Sequence, residues 1–319
     1  MTIGLYSPTK REELFRKGRL TMKKFFALLL TLAMVLSLAA CGGKKEEAPA
    51  EETKEPEQTE TQESAEAAIT TVTAGKLTVA TSPDFAPYEF YAIGEDGTPT
   101  LAGFDVALAG YIADYLGLEL EMVTVDFDGV LTELQTKSAD LGMAGLSPDP
   151  KRTSIMDFSD IYYEGGQSFV TVAGNEDLFP TLEDTNKAEY SIGAQTGSIQ
   201  LDLANENSPE ADIVSLPKVT DIIAELLTGK LDGAYIETDV AKSYAQNYPD
   251  LAIILDVPYE SEGSAVGVCK DNAELLAAVN EAIAAAKADG SLENFIAEAQ
   301  ELAAGETYEG LLDENGQAQ

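Results

Sequence analysis

The chain has no histidine and no tryptophan, and it carries 20 basic against 56 acidic side chains over 319 residues, a formal charge of -36. Without histidine it lacks the commonest metal ligand and the commonest general base near neutral pH, which weighs against zinc enzymes and His-dependent hydrolases. So acidic a surface repels nucleic acid and anionic lipid. Two cysteines, Cys41 and Cys269, are too few for a disulfide framework. Arginine is scarcer than lysine: past Arg19 there is one, Arg152. No metal or cofactor is expected.

What the chain does have begins with a targeting pattern. Residues 22–41 open on Lys23 and Lys24, and the apolar stretch from Phe25 to Leu38 is 14 residues, shorter than the ~20 a spanning helix needs. Leu38-Ala39-Ala40-Cys41 resembles the bacterial lipoprotein box, whose cysteine is lipidated and becomes the first mature residue. Met22 is the better translation start, and the expected product is a cell-surface lipoprotein held on the membrane by lipid at Cys41 alone. Residues 42–74 contain nine glutamates, three lysines and no aromatic, and read as an acidic disordered tether. As a flexible coil it spans about 30 Å.

From Lys76 onward short apolar runs alternate with helical patterns, which predicts an α/β fold of two lobes, each a mostly parallel sheet flanked by helices. In the first lobe the strands are 76–81, 119–125 and 139–146 and the helices 105–116 and 127–135, with a hairpin tip at 94–99. In the second they are 168–172, 190–194, 212–215, 232–236 and 251–255, with helices at 198–206, 219–227 and 237–248. Two last helices, 273–287 and 292–302, are expected to return to the first lobe. The divisions are a leader at 1–41, the tether at 42–74, lobe one at 75–166 with 262–304, lobe two at 167–261, and a weakly ordered tail at 305–319. Cys269 closes an apolar run and is expected to be an ordinary buried thiol.

Three local signals carry chemistry. Gly145-Leu146-Ser147 with Arg152, just past a strand's carboxyl end, offers backbone N–H groups, a hydroxyl and a planar five-donor fork that match a carboxylate. Gln195-Thr196-Gly197-Ser198 precedes a helix, where free N–H groups favour anions, although a serine there is often only a cap. Glu237 follows a strand and opens a helix, and offers an acceptor to a cation or merely complements the helix dipole. Phe85 and Phe127 stand at loop-to-element junctions, either as stacking faces or as core.

Five segments carry a family resemblance. L-T-V-A-T-S-P-D-F-A-P-Y-E-F (77–90), G-F-D-V-A-L (103–108), D-F-D-G-V-L-T-E-L-Q-T-K-S-A-D (126–140), A-G-L-S-P-D-P-K-R (144–152) and D-F-S-D-I-Y-Y (157–163) resemble the extracellular solute-binding proteins of family 3, the polar amino-acid-binding proteins of bacterial ABC importers. The resemblance implies a two-lobed periplasmic-binding fold (type II) with paired crossovers near 165–168 and 258–263. It implies that Arg152, Ser147 and the Gly145 backbone, with Ser198 and Gly197 opposite, hold a ligand's α-carboxylate. It gives Glu237 the α-ammonium, and Phe85 and Phe127 the side chain. Ser82, Asp84, Asp128 and Gln195 are candidates for side-chain selectivity. Ala107 departs from the family's common acid, and Ser82 stands where binders of basic amino acids carry aspartate, which argues against lysine or arginine. The implied partners are a free amino acid, an ABC permease and its ATPase; the protein is expected to be a monomer and not an enzyme. The alternatives are a prephenate or arogenate dehydratase on the same fold, or a lipid-anchored sensor.

Overall fold

The computed structural model describes residues 69–305 except 95–96 and 261–262. The leader, Cys41, most of the tether and the tail beyond Gly305 lie outside the described residues, as does part of the second crossover.

Strand β1 (Lys76–Thr81) starts lobe one and is buried on both faces: Leu77 and Val79 join the core on one side, Ala80 that on the other. That two-sided cover explains a continuous apolar run where a half-exposed strand alternates. A small antiparallel sheet follows, made of β2 (Asp84–Phe85), β3 (Glu89–Ile93) and β4 (Pro99–Ala102), and the β3–β4 link is the hairpin read from the sequence. Helix α1 (Phe104–Leu116) packs Leu108, Ala109 and Ile112 inward and ends on the left-handed Gly117. Then come β5 (Glu119–Thr124), α2 (Phe127–Gln135), β6 (Leu141–Gly142) and β7 (Met156–Phe158).

Lobe two contains β8 (Gln167–Val172), β9 (Ser191–Gln195), α3 (Ile199–Asn207), β10 (Asp212–Leu216) and α4 (Val219–Leu227). It is completed by β11 (Gly233–Glu237), α5 (Thr238–Asn247) and β12 (Leu251–Asp256). The chain returns through β13 (Gly267–Cys269) and ends in α6 (Ala273–Asp289) and α7 (Ser291–Ala303), which pack on α1 as expected. Cys269 is a buried free thiol whose burial raises its pKa.

The sheets run β5-β1-β6-β13-β7 and β10-β9-β11-β8-β12, one plan used twice. They are mixed, which corrects the expectation of mostly parallel sheets: β13 is antiparallel to β6 and β7, and β8 to β11 and β12. The cause is the chain path. A chain that leaves one lobe and later returns brings in a strand running against the βα series, and β8 and β13 are those strands. The two connecting stretches lie side by side, bridged at Tyr163 and Ser264, with the Tyr259 hydroxyl donating to the Gly165 carbonyl.

Two further expectations change. The run 139–146 yields only the two-residue β6, because Gly145 takes φ 56° and turns the chain off the sheet. The tether's last residues are docked: Asp140 accepts from the backbone N–H groups of Val72 and Thr78, and Asn272 donates to the Thr70 carbonyl.

Gly103 shows why the G-F-D motif begins as it does. Its φ is 122°, and a Cβ there would stand 2.0 Å from the Tyr88 carbonyl oxygen, which accepts from the Asp105 N–H. Gly103→Ala is expected to destabilise the protein by about 2 kcal/mol or more. A urea-unfolding midpoint unchanged from wild type would contradict this.

Candidate functional site

Arg152 ends a single 3-10 turn, Pro150–Arg152, whose preceding Asp149 caps the Lys151 N–H. The turn directs the guanidinium inward, leaving the residue 7% exposed. Nη2 donates to the Gly197 carbonyl of lobe two at 3.0 Å, Nη1 makes a long 3.5 Å contact to the Ser147 carbonyl, and the group lies 5.6 Å from the Phe127 ring centroid. Among the described residues it forms no salt bridge; burial lowers its pKa while Asp149 and Asp202 act on it only through their fields. A buried cation without a carboxylate partner is rare in proteins, because desolvation is costly until a counter-charge arrives.

The neighbouring groups are placed differently from the sequence expectation. The Gly145 N–H donates to Asp105 Oδ2 at 3.1 Å and so is engaged within lobe one. Ser198 is the N-cap of α3: its hydroxyl donates to the Gln195 carbonyl and accepts from the Leu201 N–H, and its own N–H also goes to Gln195. The hydroxyl and N–H of Ser198 therefore both bond within this turn, the capping alternative that the sequence left open. Gly197 contributes its carbonyl to Arg152. Ser147 is buried beside Arg152.

Glu237 ends β11 at 3% exposure and caps α5, where Oε2 accepts from the Asp239 and Val240 N–H groups at 2.8 Å. Oε1 lies 3.2 Å from the Tyr88 hydroxyl of lobe one and 3.4 Å from the Gly166 N–H. Burial pushes its pKa up to about 7, against the pull of the capping bonds. Arg152 and Glu237 thus both lie at the junction of the lobes, each with a contact to the opposite one.

Ser82, Asp84 and Gln195 join the lobes to each other. Asp84 Oδ2 accepts from the Val219 N–H at 2.6 Å and from Gln195 Nε2 at 3.2 Å, and Ser82 donates to Oδ1. Lys218 gives α4 no side-chain cap, so a carboxylate from lobe one caps a helix of lobe two. Burial raises the Asp84 pKa to about 6. The Tyr244 hydroxyl adds a bond to the Asp84 carbonyl. Asp128 is exposed and lies beside Gly197. Phe85 and Phe127 are both buried, Phe85 against Tyr88 at 5.4 Å and beside Gly145, Phe127 within the α2 core.

Residue-type reasoning passed over Tyr88, Glu89, Asp105 and Tyr162. Asp105 accepts from the Tyr162 hydroxyl at 2.5 Å as well as from Gly145, and burial raises its pKa to about 6. Its signal was present: an acid at position 105 shares the helical face of Leu108, Ala109 and Ile112, which a solvated carboxylate avoids. Among the described residues no cluster of His, Cys, Asp and Glu could hold a metal, and no helix is long and apolar enough to cross a membrane.

Two α/β lobes meet over Arg152, which forms no salt bridge among the described residues, and the buried acid Glu237, the architecture of a two-lobed binding-protein fold. Residues 77–298 match the bacterial extracellular solute-binding proteins, family 3, and the chain belongs to that family. It is 31% identical over 276 residues, 85% of this chain and 96% of the relative, to the arginine-binding extracellular protein ArtP of Bacillus subtilis (strain 168). The crystal structure of the amino acid ABC transporter substrate-binding protein AbpA from Streptococcus pneumoniae bound to L-arginine aligns with TM-score 0.69 and 35% identity, covering 73% of this chain and 97% of that one. An ancestral amino-acid-binding protein, AncCDT-1, described as a precursor of cyclohexadienyl dehydratase, aligns with TM-score 0.63 and 30% identity over 70% of this chain and 95% of that one.

A Glu237 pKa near 7, above the ordinary 4.5, means the folded protein holds a proton there that the unfolded chain releases. That contribution is fully present below pH 4.5 and is lost as pH rises through 7. Glu237→Gln keeps an oxygen for the α5 cap and removes the titration. The variant is expected to melt at or above the wild-type Tm at pH 8 and to show a flatter Tm profile between pH 5 and 8. An unchanged pH slope would place the titrating group elsewhere.

Proposed function

We propose that the protein captures a free amino acid between its lobes and delivers it to an ABC importer, binding it without chemical change. The buried guanidinium of Arg152, with a carbonyl from each lobe and no carboxylate bonded to it among the described residues, carries this reading. A ligand carboxylate supplies the missing counter-charge, and the five-donor fork suits it better than lysine's point charge. Glu237 is the acceptor for the α-ammonium; with its Oε2 already capping α5, Oε1 is the oxygen oriented toward the other lobe. Ser147 adds a hydroxyl beside Arg152, and the Gly145 and Ser198 segments shape the seat through their backbone turns. Phe85 and Phe127 provide the apolar walls.

Groups from both lobes are needed for a zwitterion, so ligand favours the closed arrangement and shifts an open-closed equilibrium that a permease can read. The arginine ligands of the two relatives make L-arginine the first amino acid to test. Lipidation at Cys41 and a tethered monomer at the cell surface complete the proposal; their support is the sequence pattern of residues 22–74. Binding is favoured over dehydratase chemistry because the relatives ArtP and AbpA are binding proteins and the chain has no histidine to serve as an acid-base partner.

A thermal-shift screen of the twenty amino acids is expected to raise Tm for a small subset, since saturating ligand adds several kcal/mol to the native state. Arg152→Ala is expected to weaken binding of that ligand by about 2–5 kcal/mol, and Arg152→Lys by a large part of this. Calorimetry giving wild-type affinity for both variants would remove the carboxylate assignment.

A further inference from the structure

Asp84 was expected among the residues that choose a ligand's side chain, yet its carboxylate accepts from three protein donors, two of them in the other lobe. It belongs to β2 of lobe one and is 8% exposed. Its Oδ2 accepts from the Val219 N–H of α4 at 2.6 Å and from Gln195 Nε2, at the end of β9, at 3.2 Å. Its backbone carbonyl accepts from the Tyr244 hydroxyl of α5 at 2.9 Å. One residue of lobe one is thus bonded to three elements of lobe two, while Ser82 holds Oδ1 from its own side at 2.7 Å.

The bond to α4 outweighs an ordinary surface contact. First-turn N–H groups have no partner within their helix, and Lys218 at the N-cap offers no side-chain acceptor. A carboxylate placed there meets a free donor and the positive end of the helix dipole together. When the lobes part, Asp84 loses two donors and α4 loses its cap. Other cross-lobe contacts weigh less or belong to the ligand seat. Lys151–Asp202 at 2.8 Å and Lys218–Asp126 at 3.8 Å join exposed side chains, and such ion pairs contribute little. Arg152–Gly197 and Tyr88–Glu237 involve groups assigned to the amino acid itself.

Resting on the open-closed reading of the cleft, we infer that Asp84 is a positioning residue for ligand capture: a latch between the lobes that favours closure without touching the ligand. The apparent affinity of a ligand that needs the closed form scales with the population of that form, so the latch tightens every ligand by the same factor. Selectivity is left to other side chains. Ser82 orients the carboxylate and Gln195 extends the latch, which reassigns both from the selectivity role expected of them.

Titration calorimetry with L-arginine and L-glutamine as probes compares wild type with Asp84→Ala, Val219→Pro and the double variant. Val219→Pro keeps Asp84 and removes the N–H that it holds. Proline suits the first residue of a helix, and Lys218 already has φ -121° and ψ 142°, the region proline requires of its predecessor. Each single variant is expected to weaken both probes by about tenfold, with the arginine-to-glutamine ratio kept within about threefold of wild type. The double variant is expected to bind about as well as the weaker single one, because both remove the same bond. Small-angle scattering without added amino acid is expected to give a larger radius of gyration for both single variants. A larger shift of the ratio in Asp84→Ala overturns the inference, since that residue then touches the side chain. Wild-type affinity in both single variants, or additive losses in the double variant with either probe, overturns it too. Should Asp84→Ala not melt cooperatively, a Val219→Pro protein with wild-type affinity and radius of gyration is enough to overturn it. If neither probe binds wild type, the cleft reading itself is at fault, and an unchanged radius of gyration in Asp84→Ala removes the latch as well.

Discussion

Arg152 is a permanent positive charge held out of water, and its hydrogen-bond acceptors among the described residues are carbonyls. Removing an ion from water costs several kcal/mol, and carbonyl dipoles offset only part of that. One of the two carbonyls belongs to the opposite lobe, so the solvation of this charge depends on how the lobes meet. Desolvation, lobe contact and recognition of an anion are therefore one problem, solved at one residue. The local turn exists to serve it: Pro150 fixes the backbone, Asp149 caps the turn, and the guanidinium is left pointing inward.

The acids around the cleft face the converse problem. Asp84, Asp105 and Glu237 are each buried, each raised in pKa by burial, and each drawn back by backbone or hydroxyl donors. Their donors reveal three jobs. Asp105 ties α1 to the Gly145 turn and to Tyr162, Asp84 bridges the lobes by capping α4 from outside, and Glu237 caps α5 while facing Tyr88. Burial raises the Asp84 pKa to about 6, against the pull of its Ser82 and Val219 donors. Tyr88, Phe104 and Tyr163 pack at 4.4–5.6 Å between centroids beside these acids, supplying the apolar medium that makes each charge matter.

Legibility in the sequence followed contact range. The helices and the long parallel strands were readable from their own patterns: β1 as a continuous apolar run, and β5, α1 and α5 as periodic buried faces. The strands β6, β7 and β13 are two or three residues long, and pairing with distant partners, rather than their own periodicity, holds them in the sheet. Ser198 was ambiguous because an N-cap and an anion site use the same residue type in the same place, and only the direction of its hydroxyl separates them. The burial of Asp105 was legible from its helical face, but its partners Tyr162 and Gly145 were not, because a carboxylate signals its role through what surrounds it.

The sequence by itself determined the two-lobed α/β class, the family, and the singular position of Arg152, since these rest on local periodicity, ordered motifs and residue chemistry. Only the tertiary structure decided the antiparallel strands that carry the chain between lobes, the lobe-to-lobe cap made by Asp84, and the company that Asp105 and Glu237 keep. Those depend on which distant segments share a low-dielectric interior, and a one-dimensional pattern does not encode the solvent exposure or donor geometry that sets a charge's energy there.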